Sequence, residues 1–597
     1  MIPTNTIIRS FIICVLGLFL SGWSLASSAS AATIVVTTDQ DVDSSFDADN
    51  PCGFGSVSDL PGADGLVSLR EAIIAANNTP GEKSITFAPN LSGATIVLTA
   101  PLYLCGGHTS LNGDVNGDDT PDITIDGAAV TFPFDVIGIV SSHNTVKSLR
   151  VLALPNCGER GAISITTTLD VATTVTDNTI AHNSLNCMIM VGAGFDEFHG
   201  GQSINNVTIK HTRVQNNTVS GSLLFGILTF SFGDQNAITD LAITGNTVSG
   251  TEGRAIRVTG GWPNFYVPDD GASDNLTEVT IKDNLLTGNS VGPGNVAGIF
   301  ITASSNNYNL GTRNQVYAQL LNNRITDNTG AGIIAAASEV EGGADNYLDV
   351  TIKGNTITGN SNPGDTAGIG ILGGLFLSPS SQVNAQILSN TIADNNGNGI
   401  TVGSGFENSS HNDVAVTIRD NTLENNAGVG ILTYGGIGAL VFPSGNSSNN
   451  ILDTRIERNT VKNSSLFGIW VFGGLGSFDG APTKVANNNE VTAVIKDNMV
   501  TGTLGEGMLL SAGASGVANT NSIEMTVKKN TVCGSAVVDI HAIGGFLGIP
   551  SLLPPNQGTE NMVAGKITKN TADSVVVEDG VAGNVVDVTQ FKNDACP

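Results

Sequence analysis

The chain has 597 residues, of which 13% are charged, 40% hydrophobic and 5% aromatic. Glycine and proline number 73 and 20, which argues against an ordinary helical enzyme, while the hydrophobic content is sufficient for a long buried core. The formal net charge of −28 would repel phosphate backbones and excludes nucleic acid as an expected partner.

The first 31 residues have the features of a secretory signal. Arg9 precedes an apolar stretch over residues 11–20, and small residues at 29–31 form a cleavage site. No later stretch contains twenty uninterrupted apolar residues, so we predict no transmembrane span. We expect a secreted or extracellular-surface protein, with the periplasm as the alternative.

Removal of the signal would remove Cys14 and leave six of the seven cysteines. An even number of cysteines favours disulfides in an oxidising compartment. Six cysteines allow 15 connectivities, so spacing alone does not decide the pairing. We favour neighbours along the chain: Cys52 with Cys105, Cys157 with Cys187, and Cys533 with Cys596.

A short amphipathic helix is predicted over residues 65–77. Ser68 can cap it while Glu71 reaches back three residues later, as in a capping box. An apolar stripe on this helix is formed by Leu69, Ala72, Ile73 and Ala76. We expect the helix to cover the open N-terminal end of a longer structure.

The acidic segment 114–122 has oxygen ligands at alternating positions, as calcium loops do. The candidate ligands are Asp114, Asn116, Asp118 and Asp122. The segment departs from the EF-hand pattern because Asp119 occupies the glycine position and Ile125 the position of the bidentate carboxylate. A structural calcium ion and a solvated acidic turn remain open, and no cofactor is required.

From about residue 175 to 570 one phrase recurs: an apolar residue, two variable positions, Asn, one variable position, and usually an aliphatic residue. Short β-type segments with period-two alternation surround it, separated by Asn and Gly turns. The anchoring asparagines are Asn178, Asn217, Asn246, Asn284, Asn323, Asn355, Asn390, Asn421, Asn459, Asn498, Asn530 and Asn570.

Such units cannot bury their apolar side chains alone and must stack on one another. Helical repeats are excluded because no stretch keeps a 3.6-residue period, and propeller blades need four strands with hairpin turns. We therefore predict an all-β fold, a right-handed parallel β-helix. The asparagines should form one hydrogen-bonded ladder at a corner where Asn tolerates the left-handed conformation.

The segment VSLREAIIAANNTPGEKSITF, residues 67–87, resembles the CSLREA element that opens many exported bacterial β-helix proteins. Val67 stands where that family has a cysteine, so the local disulfide of the family is not expected. The resemblance implies a surface or secreted location and no single activity. Together with the signal and the repeats, it predicts four segments: a signal at 1–31, a CSLREA-like cap with the first strands at 32–130, β-helix repeats at 131–570 and a C-terminal cap at 571–597.

The loop at 252–270 has the richest chemistry of the repeats. Its arginines and carboxylates are candidate catalytic groups, namely Arg254, Arg257, Asp269 and Asp270. Its rings could stack on sugars, namely Trp262, Phe265 and Tyr266. The characteristic phrases of the pectin hydrolases are absent, so catalysis, sugar binding and ordinary loop packing all remain open.

Loop tips in the second half of the chain are apolar. They should align along one side of the rod and form a ridge: Leu375, Phe376, Leu377, Leu440, Val441, Phe442, Leu475, Phe478, Phe546, Leu547, Leu552 and Leu553. Packing of the ridge on itself and self-association through it are the alternatives.

Three functions are consistent with these features. The leading hypothesis is a non-enzymatic β-helix that binds a polysaccharide or cell-surface glycan, or mediates adhesive surface contact. The second is a polysaccharide lyase or glycoside hydrolase acting in a groove on the flank. The third is a structural assembly protein.

Overall fold

The computed structural model describes residues 31–42, 52–130, 135–153, 161–199, 202–262, 271–289, 297–305, 311–339, 343–438, 445–476, 484–514, 516–545 and 558–597. Nearly all of the predicted signal at 1–31 lies outside these ranges. No helix in the described part of the chain is long and apolar enough to cross a membrane.

The fold is a right-handed parallel β-helix whose strands form three long sheets. One coil illustrates the path: Tyr347–Lys353 lies in sheet 1, Thr356–Thr358 in sheet 2 and Ser361–Leu375 in sheet 3. Each strand pairs in parallel with the equivalent strands of the coils before and after it. Fifteen strands in each of sheets 2 and 3, at about 4.8 Å per coil, give a rod about 70 Å long.

The strands of sheet 1 are Ala32–Val36, Lys83–Phe87, Thr109–Asn112, Thr145–Lys147, Thr174–Thr176, Thr179–Ala181, Thr208–Lys210, Arg213–Gln215, Ala237–Thr244, Leu276–Lys282, Gln315–Leu321, Tyr347–Lys353, Gln382–Leu388, Asp413–Arg419, Ile451–Glu457, Glu490–Lys496, Ser522–Lys528, Met562–Thr568 and Val585–Phe591. The strands of sheet 2 are Thr95–Val97, Ile123–Asp126, Leu149–Leu152, Ser184–Leu185, Thr218–Ser220, Thr247–Ser249, Leu285–Thr287, Arg324–Thr326, Thr356–Thr358, Thr391–Ala393, Thr422–Glu424, Thr460–Lys462, Met499–Thr501, Thr531–Cys533 and Thr571–Ala572. The strands of sheet 3 are Leu102–Leu104, Ile137–Ile139, Gly161–Thr166, Met188–Ala193, Phe225–Ser231, Arg254–Gly261, Ala297–Ser304, Ala331–Ser338, Ser361–Leu375, Asn396–Phe406, Ile431–Ile437, Ile469–Leu475, Met508–Gly513, Ile540–Gly545 and Val575–Gly580.

Smaller elements complete the fold. Phe195–Asp196 pairs with Gln202–Ser203, and Gly445–Asn446 pairs with Lys484–Val485. Short 3-10 turns lie at Val57–Asp59, Pro89–Leu91 and Glu197–His199, and the α-helix, α1, spans Leu69–Asn77. The three sheets run from the first strand to the last, so parallel coils occur on both sides of the predicted boundaries at 131 and 571.

The core is built from aliphatic side chains that point inward at the same place in successive coils. In sheet 1 one such file, almost fully buried, runs through Ile281, Leu320, Ile352, Ile387, Ile418, Ile456, Ile495, Val527 and Ile567. Period-two alternation explains this, because alternate residues of a strand face opposite sides of the sheet. Stacking places like residues over one another and makes the core continuous.

The outer faces of sheets 1 and 3 differ. Along sheet 1 the outward residues alternate with the buried ones and remain open to solvent. Along sheet 3 both faces are buried, and large outward side chains such as Phe300, Tyr434 and Phe472 are almost completely covered. Sheet 1 therefore offers an accessible surface and sheet 3 a second apolar layer.

Helix α1 begins as predicted. Glu71 N–H donates to Ser68 Oγ at 3.1 Å, and Ser68 N–H donates to Glu71 Oε2 at 2.9 Å, which is the reciprocal capping box. Its apolar stripe belongs to the same buried cluster as the first strands of the coils. Arg70 on this helix donates to both carboxylate oxygens of Asp41 at 2.9 Å.

Two of the predicted disulfides are confirmed, Cys52 to Cys105 and Cys533 to Cys596. Cys187 is also disulfide-bonded. Its predicted partner, Cys157, lies outside the described residues. The second bridge links the last coil to the coil two turns earlier in the chain.

Candidate functional site

A ladder of asparagine side chains marks the corner between sheets 1 and 2, and Asn390 shows its geometry. Its Oδ1 accepts from the backbone N–H of Asn355 at 2.9 Å and from Asn355 Nδ2 at 3.0 Å. Its Nδ2 donates to the carbonyl of Ile352 at 2.9 Å and to Asn421 Oδ1 at 3.0 Å. Every polar atom of the buried amide is satisfied, so the ladder is structural.

The ladder runs through Asn183, Asn217, Asn246, Asn284, Asn323, Asn355, Asn390, Asn421, Asn459, Asn498, Asn530, Asn570 and Asn593. The predicted Asn178 is not in this file. It bonds instead to the N–H of Asn144 at 2.7 Å, at a break between two short strands of sheet 1. Asn183 takes the corner position in that coil.

The left-handed corner residue also differs from the prediction. It is the residue before the ladder asparagine that has a positive φ, as at Ser389 with 54°, Asp420 with 60° and Gly354 with 70°. The asparagine itself takes the position that points its amide inward. At each corner, therefore, one residue makes the left-handed turn and the next residue, the asparagine, supplies the hydrogen-bonding amide.

Two further asparagine ladders lie at the other corners, and the sequence reasoning missed them. The corner between sheets 2 and 3 carries Asn289, Asn328, Asn360, Asn395 and Asn426. The corner leading back to sheet 1 carries Asn236, Asn275, Asn314 and Asn346, then Asn412, Asn450, Asn489, Asn521, Asn561 and Asn584. The sequence pattern that marks the ladder between sheets 2 and 3 is a second asparagine five residues after the anchoring one, as in Asn355 and Asn360.

The predicted catalytic arginines lie in a buried ion-pair cluster on the outer face of sheet 3. Arg254 and Arg257 donate to the two oxygens of Glu339 at 2.6 and 2.7 Å, and Ser305 Oγ donates to Glu339 at 2.7 Å. Burial would raise the pKa of Glu339, but the charges of Arg257 and Arg254 and the Ser305 hydrogen bond hold it at about 2. The guanidinium groups are thus engaged with a carboxylate of the protein and not presented to an open groove.

Trp262, the described member of the predicted sugar-stacking rings, packs within the same region. Its ring lies 6.0 Å from those of Phe225 and Phe230, and the Arg257 guanidinium stacks 4.2 Å from its centre. The remaining predicted residues of this loop, Phe265, Tyr266, Asp269 and Asp270, lie outside the described residues. Among the described residues, the structure brings Arg254, Arg257 and Trp262 together around Glu339, which the sequence reasoning did not include.

The predicted calcium loop is closed by its own backbone. Asp114 accepts the N–H groups of Gly117, Asp118 and Asp119 at 2.6, 3.2 and 3.0 Å. A hydrogen bond from the Thr120 side chain lowers the pKa of Asp118. A calcium ion would compete with these N–H donors for the same carboxylate oxygens, and calcium binding stays a prediction.

The same loop is closed from its other end. Asp122 accepts the N–H groups of Val115 and Asn116 at 2.8 and 3.1 Å, and Asn116 Nδ2 also approaches Asp122 at 3.4 Å. The four predicted ligands therefore belong to one hydrogen-bonded turn.

The predicted apolar ridge is described at two places. Leu375 and Leu475 are buried, Phe376 contacts the ring of Phe406 at 5.7 Å, and Leu377 is 40% exposed. The remaining ridge residues lie outside the described residues: Leu440, Val441, Phe442, Phe478, Phe546, Leu547, Leu552 and Leu553. Leu375 and Leu475 are the last residues of two sheet 3 strands, and Leu475 belongs to the buried apolar cluster on the outer face of that sheet.

The open face of sheet 1 contains a groove of 420 Å³, here named the sheet 1 groove. It crosses four coils and is lined by Asp240, Leu241, Glu278, Val279, Thr280, Tyr317, Ala318, Gln319, Asp349 and Thr351. Glu278, Tyr317 and Asp349 occupy the same outward position in successive strands. The residues come from distant parts of the chain and are aligned only by the coil register.

Tyr317 lines this groove, and Tyr347 lies beside it on the adjacent coil. The rings of Tyr317 and Tyr347 are 5.7 Å apart, and Tyr317 is 39% exposed. Tyr317 Oη donates to Gln315 Oε1 at 3.2 Å. Burial and then the charge of Asp349 raise the pKa of Tyr347, so its phenol stays neutral.

Carboxylates and amides complete the surface. Asn384 Nδ2 donates to Asp349 Oδ2 at 2.9 Å, and Asp240 pairs with Arg213 at 2.8 Å. The groove and its margin therefore present the two tyrosine rings, hydrogen-bond donors and acceptors, and an excess of negative charge. This combination suits a hydroxyl-rich ligand and opposes an anionic one.

The comparison with family models agrees with the fold. Residues 270–442 match the family model described as a right handed beta helix region. A comparison with curated proteins finds no match.

Among solved structures, the periplasmic alginate epimerase AlgG is 12% identical, with 86% of this chain and 84% of that chain covered and a TM-score of 0.27. The A-module of the mannuronan C-5 epimerase AlgE6 from Azotobacter vinelandii is 12% identical, with 89% and 94% covered and a TM-score of 0.28. PfbA, a surface adhesin of Streptococcus pneumoniae, is 12% identical, with 63% and 89% covered and a TM-score of 0.24.

Proposed function

We propose that this protein is exported and binds a neutral or amino-sugar polysaccharide along the open face of sheet 1. The observation that carries the proposal is the sheet 1 groove, in which Tyr317, Gln319 and the carboxylates of neighbouring coils form one continuous surface. A polymer lying along the rod axis meets the same outward positions in coil after coil. Recognition would combine ring stacking with hydrogen bonds to sugar hydroxyls.

Charge selects the class of polysaccharide. Glu278 and Asp349 flank Tyr317, and the nearby Arg213 is already paired with Asp240. A uronate or sulfated sugar would place its anion near these carboxylates without a matching cation. Neutral and amino sugars meet no such repulsion.

Export is supported by the signal-like first 31 residues and by the disulfides, which persist in oxidising compartments. The long, regular rod supports a binding surface that extends over several sugar units. Surface attachment and release into the medium are both consistent with this proposal.

Calorimetric titration with a neutral glucan, a neutral mannan, chitosan and a polyuronate tests the proposal. Tyr317→Ala should weaken the binding of the preferred neutral or amino glycan roughly tenfold, whereas Tyr317→Phe should retain most of it because the ring remains. Phe591→Ala removes an exposed ring elsewhere on sheet 1 and serves as the matched control. Preferential binding of the polyuronate, or equal affinities for the Tyr317→Ala and wild-type proteins, would contradict the proposal.

A glycoside hydrolase is the second candidate, because Glu278 and Asp349 occupy the same outward position two coils apart. Two coils correspond to about 9.6 Å between strands, close to the upper limit of the carboxylate separation in inverting hydrolases. Release of reducing ends from the bound glycan, abolished by both Glu278→Gln and Asp349→Asn, would establish this activity. Binding without product release would leave the glycan-binding function alone.

A further inference from the structure

A file of histidines and carboxylates crosses sheet 1 in the first coils, just before its strand in the earliest coils and at the break between two short strands in later ones. The strand register places one residue of the file in each successive coil: Glu82, His108, His143, Asp177, His211 and Asp240. The chain has seven histidines, and three of them occupy this file. The consecutive members from His108 to His211 are 34 or 35 residues apart in sequence, so only the fold brings them together.

Most of these residues share one backbone conformation. His108, His143, Asp177 and His211 have φ values between 51° and 60°, in the left-handed region. Each of these four side chains is roughly half exposed. Asparagine and glycine suit such a position at least as well, so backbone geometry does not explain the choice of histidine.

Asp177 lies between two of the histidines and contacts both. Its Oδ2 is 3.6 Å from His143 Nδ1, and its Oδ1 is 3.3 Å from His211 Nδ1. The Thr176 side chain and then the two histidines lower the pKa of Asp177, which keeps the carboxylate ionised. The two imidazoles therefore approach different oxygens of one anion.

His108 extends the arrangement on one side. Its ring stacks on that of His143 with 4.5 Å between the ring centres and 18° between the planes, and its Nδ1 lies 2.9 Å from Glu82 Oε1. At the other end of the file Asp240 opens into the sheet 1 groove. The file thus leads directly to the proposed glycan-binding surface.

We propose that His143, Asp177 and His211 form a binding site for a divalent transition-metal ion of the zinc class. Two imidazole nitrogens and a carboxylate oxygen are ligands that Zn²⁺ prefers, with bonds of about 2.0 to 2.2 Å. The coils of His143 and His211 are about 9.6 Å apart, so both rings reach towards the carboxylate between them. The structure shows two separate pairwise contacts, so coordination of one ion requires both half-exposed imidazoles to rotate towards Asp177, with water completing the shell.

The alternative to a metal site is a set of solvated histidine–carboxylate pairs. Another histidine of the chain, His182, provides a control that distinguishes these two possibilities. His182 has the same left-handed conformation, with φ of 57°, at the corner between sheets 1 and 2 in the coil that contains Asp177. Its neighbour in the following coil is Asn216, whose Nδ2 lies 3.4 Å from His182 Nε2. His182 therefore has the exposure and backbone of the file without its carboxylate.

Titration of the full chain with ZnCl₂, followed by calorimetry in a non-chelating buffer, tests the site. We expect one Zn²⁺ per chain at this site, and a loss of affinity of more than about tenfold in each of His143→Ala, His211→Ala and Asp177→Asn. His182→Ala should bind as the wild-type protein does, and CaCl₂ should not displace the zinc. Circular dichroism of each variant confirms that the coils are intact.

Absence of zinc binding in the wild-type protein overturns the proposal, as does equal binding by wild type, His143→Ala and His211→Ala. Loss of binding in His182→Ala to the same extent would also overturn it, because it would locate the ion elsewhere. The result is independent of the glycan proposal, since the readout is metal affinity and no sugar is present.

Discussion

Replacement of Asn390 by alanine tests the asparagine ladder in the middle of the rod. The side-chain amide of Asn390 makes four hydrogen bonds, two to Asn355, one to Ile352 and one to Asn421. Its own backbone N–H bonds to Asn421 Oδ1 at 2.9 Å and survives the substitution. The loss therefore falls mainly on the preceding coil.

The magnitude follows from which partners are left without a bond. Asn355 Nδ2 still donates to Leu320 O at 2.9 Å, and Asn421 Oδ1 still accepts from the Asn390 N–H. The buried N–H of Asn355 loses its acceptor, and one unsatisfied buried donor costs about 1 to 3 kcal/mol. Together with the lost bond to Ile352 O, we expect the free energy of unfolding of this region to fall by about 3 kcal/mol.

Hydrogen exchange measured by mass spectrometry is the suitable assay, because a stacked-coil protein opens locally and its stability differs along the rod. Peptides covering residues 350–358 should exchange roughly 150-fold faster in Asn390→Ala, whereas peptides covering 520–530 should not change. Asn396→Ala removes an exposed amide from a neighbouring strand and should change stability by less than about 0.5 kcal/mol. Equal protection in Asn390→Ala and wild type would refute the structural role of the ladder.

Three further predictions concern the ion-pair cluster, the corners and the last coil. Glu339→Gln should lower stability by about 3 kcal/mol at neutral pH. The pKa of Glu339 in the folded protein is about 2, below its ordinary value of 4.5. In urea titrations the stability difference between wild type and variant should therefore be complete above pH 4.5 and disappear as the pH falls towards 2. A pH-independent difference would count against the ion pair. Ser389→Gly should raise the thermal midpoint and the free energy of unfolding, the latter by about 1 kcal/mol, because glycine adopts the φ of 54° without the steric cost of a side chain. A lowered midpoint would show that the Ser389 side chain contributes more to stability than its backbone strain costs. Replacing Cys533 and Cys596 together by serine opens a loop whose ends are 63 residues apart, and should lower the free energy of unfolding by about 4 kcal/mol. Hydrogen exchange over residues 585–591 should then become faster. Unchanged exchange there would show that the bridge does not hold the last coil.

The repeated phrase was sufficient to predict the architecture. In each repeat the aliphatic residues face the core and the asparagine lies at a corner. One repeat of the sequence phrase therefore corresponds to one coil of the structure. The helix over Leu69–Asn77 and two disulfides were predictable for a similar reason, because each depends on local motifs or on cysteines near one another along the chain. Asn178 was assigned to the wrong file because its phrase matches in spacing while its coil contains an additional break in sheet 1.

The surfaces were harder to predict because they join distant residues. Glu339 lies 85 residues from Arg254, and no local pattern connects them. The sheet 1 groove draws Asp240, Tyr317 and Asp349 from different coils whose loops vary in length. Only the register, which depends on those loop lengths, shows which outward side chains become neighbours.

Hydroxyl-radical footprinting with and without the preferred neutral or amino glycan tests the central functional claim most directly. We predict that the glycan protects Tyr317 and Tyr347 from oxidation and leaves Phe591, on the same sheet, unchanged. Protection confined to other faces of the rod, with Tyr317 and Tyr347 oxidised equally in both samples, would contradict binding along the open face of sheet 1.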